Sequence, residues 1–117
     1  DLVPVWDLEF GDGDEEPRDS SAASIAACGL LEMARYMEPG EGAGYTGMAR
    51  RLMKSLAVNY AVKDYSKSNG LVLHSTYSNH SPYNTCSHYG VDECNLWGDY
   101  FYMEALTRIC RDWNPYW

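Results

Sequence analysis

The stretch Trp97–Arg108, WGDYFYMEALTR, decides the fold. Gly98 and Asp99 open it, Asp99 can act as a first-turn anion for the helix dipole, and nothing breaks the run before Pro115. Tyr102, Leu106, Ile109 and Trp113 keep helical spacing, and Phe101 and Ala105 widen the apolar stripe. A helix apolar around so much of its circumference expects neighbours on more than one side. It reads as an inner element of a larger helical assembly.

Working back along the chain, PRDSSAAS (Pro17–Ser24) starts a second such helix, with Asp19 or Ser20 as its N-cap. Ala22, Ala26, Leu30, Met33 and Met37 form its expected stripe, and Pro39 and Gly40 are expected to end it. Small residues in its first half suit helix axes that come close, and Gly29 suggests close packing against a neighbour. After a Gly-rich connection (Gly40, Gly42, Gly44), a further helix is expected from about Tyr45 to Val62. Met48, Leu52, Leu56 and Tyr60 lie on one side of it, broadened by Met53 and Ala57, with Arg50, Arg51 and Lys54 on the other. This is an amphipathic helix with one wet face.

Two irregular stretches precede the apolar helices. Residues 1–18 carry a short extended run (Val3, Val5, Trp6, Leu8, Phe10) and an acidic turn over Gly11–Glu16. Trp6 reads as a hydrophobic anchor and Asp7 as a solvated carboxylate. Residues 63–95 lose the helical period. Leu71–Leu73 is an extended piece, followed by HSTYSNHSPYNTCSHYGVDEC (His74–Cys94), which holds all three histidines. So long a loop with so aromatic a composition is functional rather than disordered. Spacing alone shows no convergence of His74, His80 and His88 on a metal, and a Ser-His-Asp triad would lack its G-x-S-x-G elbow. Hydroxyls, amides and aromatic faces fit a sugar better.

The totals set bounds. The chain has 117 residues, enough for one domain and too few for two. A net charge of -8 argues against nucleic acid as a partner. No apolar run reaches membrane-spanning length, and no signal peptide is recognisable. An opening Asp in place of Met fits a mature form, a processed product or a fragment. Four cysteines without a C-x-x-C pair do not suggest zinc or a redox motif. Cys28 and Cys110 are expected as buried free thiols, and Cys86 and Cys94 are near enough in sequence to be bridged in an oxidising compartment.

The order of helix, helix, long loop, helix, with irregular segments entering the two apolar helices, is that of an all-α toroid, in which such segments line a central pocket. Three helices cannot close a ring. As an isolated unit they would expose a large apolar surface.

Three motifs, Trp6-Asp7-Leu8, PRDSSAASIAACGLLEMA (Pro17–Ala34) and GVDECNLWGDYFYMEALTR (Gly90–Arg108), resemble in that order the unsaturated glucuronyl hydrolases. The resemblance covers essentially the whole chain, as the C-terminal third of such an enzyme. It implies part of an (α/α)6 barrel: residues 1–18 a rim loop, 19–62 a helical hairpin, 63–95 a second rim loop, and 96–117 the last inner helix and tail. It also implies removal of an unsaturated uronic acid from lyase-generated oligosaccharides by hydration of the C4=C5 double bond, without a cofactor. The implied partners are that oligosaccharide and the remaining N-terminal part of the barrel, with neither nucleic acid nor membrane. The compartment is open between bacterial cytoplasm and periplasm.

No catalytic residue carries over, because the family's catalytic aspartates are expected in the missing part. Asp19 and Asp99 sit at analogous helix entries and read as caps or pocket-floor hydrogen-bond partners. One binding motif, YS-x-HS, matches with Ser78 and Ser81, but Tyr83 stands where a lysine would meet sulfate. A charge-assisted bond is about twice as strong as a neutral one, so that change weakens sulfate recognition. Arg18 is the nearest cation elsewhere. The competing reading is a non-catalytic carbohydrate-binding or partner-dependent helical module.

Overall fold

A computed structural model of the chain describes residues 1–11, 15–80 and 90–114. The described residues form three α-helices and no strand: α1 (Ser20–Ala34), α2 (Pro39–Ser55) and α3 (Leu96–Cys110). A π-helical turn, Leu56–Tyr60, extends α2. Isolated antiparallel bridges join Val5 to Arg18, Ala61 to Val72 and Ser75 to Glu93.

α1 is the shared partner: α2 and α3 both pack on it and hardly meet each other. Its small residues make this possible, since Ser20, Ala23, Ser24 and Ala27 are fully enclosed. The Asp19 carboxylate caps the helix by accepting from the Ser21 amide. The expected stripe is rotated. The faces buried on α1 carry Ala23, Ser24, Ala27 and Cys28, whereas Ile25, Ala26 and Met33 are exposed. With two neighbours, the small residues take the crowded faces; Ala26 and Met33 of the expected stripe turn to solvent, and Leu30 packs at the core's edge. Gly29 lies in open space, so close packing does not account for it.

α2 begins at Pro39, not near Tyr45, and the connection is residues 35–38. Proline is at home in the first turn, where its missing N–H costs nothing. The glycines read as linker are therefore helical. A Cβ at Gly42 would lie 2.7 Å from the Ala34 carbonyl oxygen, so this glycine is what lets the hairpin close. Further along, Ala49, Leu52, Met53, Leu56 and Tyr60 are buried, with Arg50, Arg51 and Lys54 exposed as the amphipathic pattern requires.

α3 starts before Gly98, with Asn95 as N-cap accepting from the Gly98 amide at 2.7 Å. Tyr102 and Ala105 are buried and Leu106 and Ile109 pack at the core's edge. Leu96, Trp97, Tyr100 and Met103 remain exposed, as do Ile25 and Met33 of α1. Arg108 stacks on Trp113, 5.6 Å from the ring centroid, which draws the start of the tail onto α3. Pro115, Tyr116 and Trp117 lie outside the described residues.

The thiols divide. Cys28 is buried, donates to the Phe101 carbonyl at 3.3 Å, and is pushed up to about 12, chiefly by burial and then by the negative charge of Glu104. Cys110 is exposed rather than buried, because it sits on the outer side of the last helical turn. Cys94 is a free thiol, and Cys86 lies outside the described residues. No described helix is long and apolar enough to cross a membrane.

Candidate functional site

The two irregular segments meet over the N-terminal ends of α1 and α3. Asp19 accepts from the Ser21 amide and hydroxyl and, at 3.3 Å, from the Thr76 amide, which ties the second loop to the start of α1. The Ser20 and Ser75 hydroxyls are 2.9 Å apart in the buried joint below. Across the rim, Glu16 accepts from the Trp6 indole at 2.8 Å and from the Asn79 amide group at 3.4 Å. Trp6 is thus an anchor, and Asp7 accepts from the Glu9 amide in a local turn.

Asp99 is structural too. Its Oδ1 accepts from the Leu71 and Val72 amides at 2.9 and 3.0 Å and so fixes the extended piece against α3. Asp99→Ala is expected to cost about 2 kcal/mol by stranding those donors. Asp99→Asn, whose amide oxygen can still accept, is expected to be nearly neutral. Chemical denaturation of the two variants checks this, and equal losses would contradict it.

The second loop leaves and re-enters through a narrow neck. Ser75 and Glu93 exchange both backbone bonds, at 2.8 and 2.9 Å, and the Tyr77 amide donates to the Gly90 carbonyl at 2.9 Å. The Tyr77 hydroxyl donates to Glu93 at 3.0 Å, a bond that, with the nearby negative charge, raises the phenol's pKa. Gly90 is required twice over. Its φ is +104°, and a Cβ there would lie 2.7 Å from the Tyr77 ring. Below the neck, Trp97 lies edge-on to Tyr77 with ring centroids 5.3 Å apart and donates to the Ser21 hydroxyl at 3.2 Å.

Beside the neck is a cleft of about 590 Å³, whose walls include Glu16, Arg18, Tyr60, His74, Asn79 and Asp92. Both rim segments and the end of the outer helix contribute to it. Its carboxylates outnumber its cations, so it is better suited to hydroxyls and neutral sugar faces than to a second anion.

Of the residues expected to bind, Arg18 lines this cleft, and its guanidinium donates to the Val3 carbonyl at 2.9 Å. Ser78 is half-buried at the neck, its amide donating to the Gly90 carbonyl at 3.4 Å. Ser81 and Tyr83 lie outside the described residues, as does His88. His74 is in the neck and His80 is exposed, and no group of His, Cys, Asp or Glu among the described residues is placed to hold a metal. Sequence reasoning missed Glu16 as the strut across the rim and the pairing of His74 with Asp92. Both are long-range, and neither has a local signature.

Two apolar helices, each preceded by an irregular segment, and one amphipathic helix form part of an α/α barrel. No family model matches the chain. The unsaturated chondroitin disaccharide hydrolase of Streptococcus pyogenes serotype M1 is 46% identical over 120 residues, covering 100% of this chain and 28% of that protein. An unsaturated glucuronyl hydrolase mutant from Streptococcus agalactiae, solved in complex with dGlcA-GalNAc6S, superposes with a TM-score of 0.85 at 40% identity, covering 100% of this chain and 30% of that one. The unsaturated glucuronyl hydrolase of Bacillus sp. GL1, described as responsible for the degradation of glycosaminoglycan, superposes with a TM-score of 0.77 at 31% identity, covering 93% and 28%. The chain is thus a homologue of the unsaturated glucuronyl and chondroitin disaccharide hydrolases and spans less than a third of their length.

Proposed function

We propose that this chain is the C-terminal portion of a single (α/α)6-barrel domain of a glycoside hydrolase that removes the unsaturated uronic acid from the non-reducing end of lyase-generated oligosaccharides. The observation that carries this reading is the match of the whole chain, rim loops included, to a hydrolase solved with an unsaturated disaccharide. In that reaction a carboxylic acid protonates the C4=C5 double bond and water adds at C5. The hemiketal so formed opens and releases the neighbouring sugar. Asp19 and Asp99 are engaged by backbone amides, so the proton donor belongs to the rest of the barrel. This chain supplies part of the rim, where Arg18 and Ser78 are the described candidates for binding the sugar; Ser81 and Tyr83, assigned the same role from the sequence, lie outside the described residues.

The alternative, an independent carbohydrate-binding module, fits less well. Ile25, Met33, Leu96, Trp97, Tyr100 and Met103 are exposed along two neighbouring helices, as expected where further barrel helices pack. The test is a hybrid in which this chain replaces the matching segment of the Streptococcus agalactiae enzyme. Loss of the substrate's double-bond absorbance is the expected result. A folded hybrid that binds the sugar and leaves the double bond intact would favour the module.

A further inference from the structure

The neck holds a pairing that the proposed chemistry does not use. His74 and Asp92 are the described non-glycine residues with positive φ, at 64° and 60°. Each immediately precedes one member of the Ser75–Glu93 bridge, and their side chains pair, His74 Nδ1 with Asp92 Oδ1. Asp and His enter the left-handed region more readily than most residues, but two of them facing each other across one neck need support from their surroundings. Burial does not supply it, because the side chains are 47% and 65% exposed. The His74 ring also packs edge-on against Tyr60, with centroids 5.7 Å apart, which connects the neck to the end of the outer helix. Both members of the pair line the cleft with Arg18 and Asn79.

We propose that the His74–Asp92 pair is the positioning device of the sugar-facing loop. By joining the two left-handed residues it fixes where Ser78 stands at the neck and Asn79 at the cleft, and it governs substrate binding rather than bond making. The inference rests on the reading that this loop meets the sugar.

The test uses the full-length protein carrying this chain. In Asp92→Gly the backbone keeps its conformation without strain and only the pair is lost. KM for an unsaturated disaccharide is expected to rise about fivefold, the equivalent of one partly exposed hydrogen bond, with kcat and melting temperature unchanged. Asp92→Asn, which can still accept from the ring, restores most of the loss. His74→Gly combined with Asp92→Gly is no worse than either alone. A fall in kcat at constant KM, or additive losses in the double variant, overturns the proposal. Amide exchange at Ser75 and Glu93 reads the pair without substrate: faster exchange in Asp92→Gly, reversed in Asp92→Asn, supports it, and unchanged exchange overturns it. A wild-type protein that leaves every unsaturated oligosaccharide intact would instead sink the hydrolase reading, and exchange would still decide the role of the pair.

Discussion

Replacing Arg108 by alanine is expected to destabilise the protein by about 4 kcal/mol, the cost of stripping one partner from a buried ion pair. Arg108 donates to Glu32 of α1 at 2.6 Å and to Glu104 of its own helix at 2.8 Å. Its side chain is 10% exposed and that of Glu104 only 3%. Loss of solvent alone would lower the guanidinium pKa, and the bonds to the two carboxylates outweigh this and raise it. Without Arg108, the buried Glu104 carboxyl loses its ion-pair partner in the seam between α1 and α3. Replacing both, as Glu104→Leu with Arg108→Met, is expected to recover most of the loss. Urea denaturation of the full-length protein measures both effects, and a single-variant loss below about 1 kcal/mol would refute the argument.

Glu32 gives the same network a pH signature. Its pKa is lowered, chiefly by the bond to Arg108, with Arg35 adding to it. A depressed carboxylate contributes fully above its ordinary pKa, and the contribution is lost as pH falls through the lower folded value. Arg108→Ala removes the main cause, so the acid end of the stability profile is expected to flatten.

Leu56→Ala is expected to cost about 3 kcal/mol. Leu56 is fully buried at the junction between α2 and its π turn, so truncation leaves a cavity as well as losing transfer free energy. Val58, two residues on, is 61% exposed, and Val58→Ala is expected to change stability by less than about 0.5 kcal/mol. Thermal and urea unfolding of the two variants distinguish them. Similar losses would mean that the turn does not hold Leu56 against α1.

The fold was legible wherever a pattern was local. The amphipathic face of α2, the Asp19 cap and the apolar run of α3 follow from spacing and side-chain type. The boundary at Pro39 was not, because a proline after an apolar run signals an ending and an opening equally well. The buried face of α1 was misjudged for a physical reason. A helix shared by two neighbours gives its crowded faces to alanine and serine, which hydrophobic periodicity counts as weak. Glu104 lies hidden in an apolar sequence, and its burial makes sense only once Arg108 and Glu32 converge on the same seam. The composition of the loop between Leu73 and Asn95 was readable. Its neck, made of contacts between residues some 18 positions apart, was not.

The neck also has a consequence for chain entropy. Asp99 ties down Leu71 and Val72, and the Ser75–Glu93 bridge closes the loop at its base, so the span between the outer helix and α3 is divided into short closed segments. Beyond a closed base, each doubling of loop length adds only about 0.6 kcal/mol of closure cost. On the proposed function, the part of the chain that meets the sugar can therefore gain or lose residues almost independently of the barrel beneath it. Recognition can diversify there by insertion and deletion, while the helices stay under the strict volume limits of their packed seam.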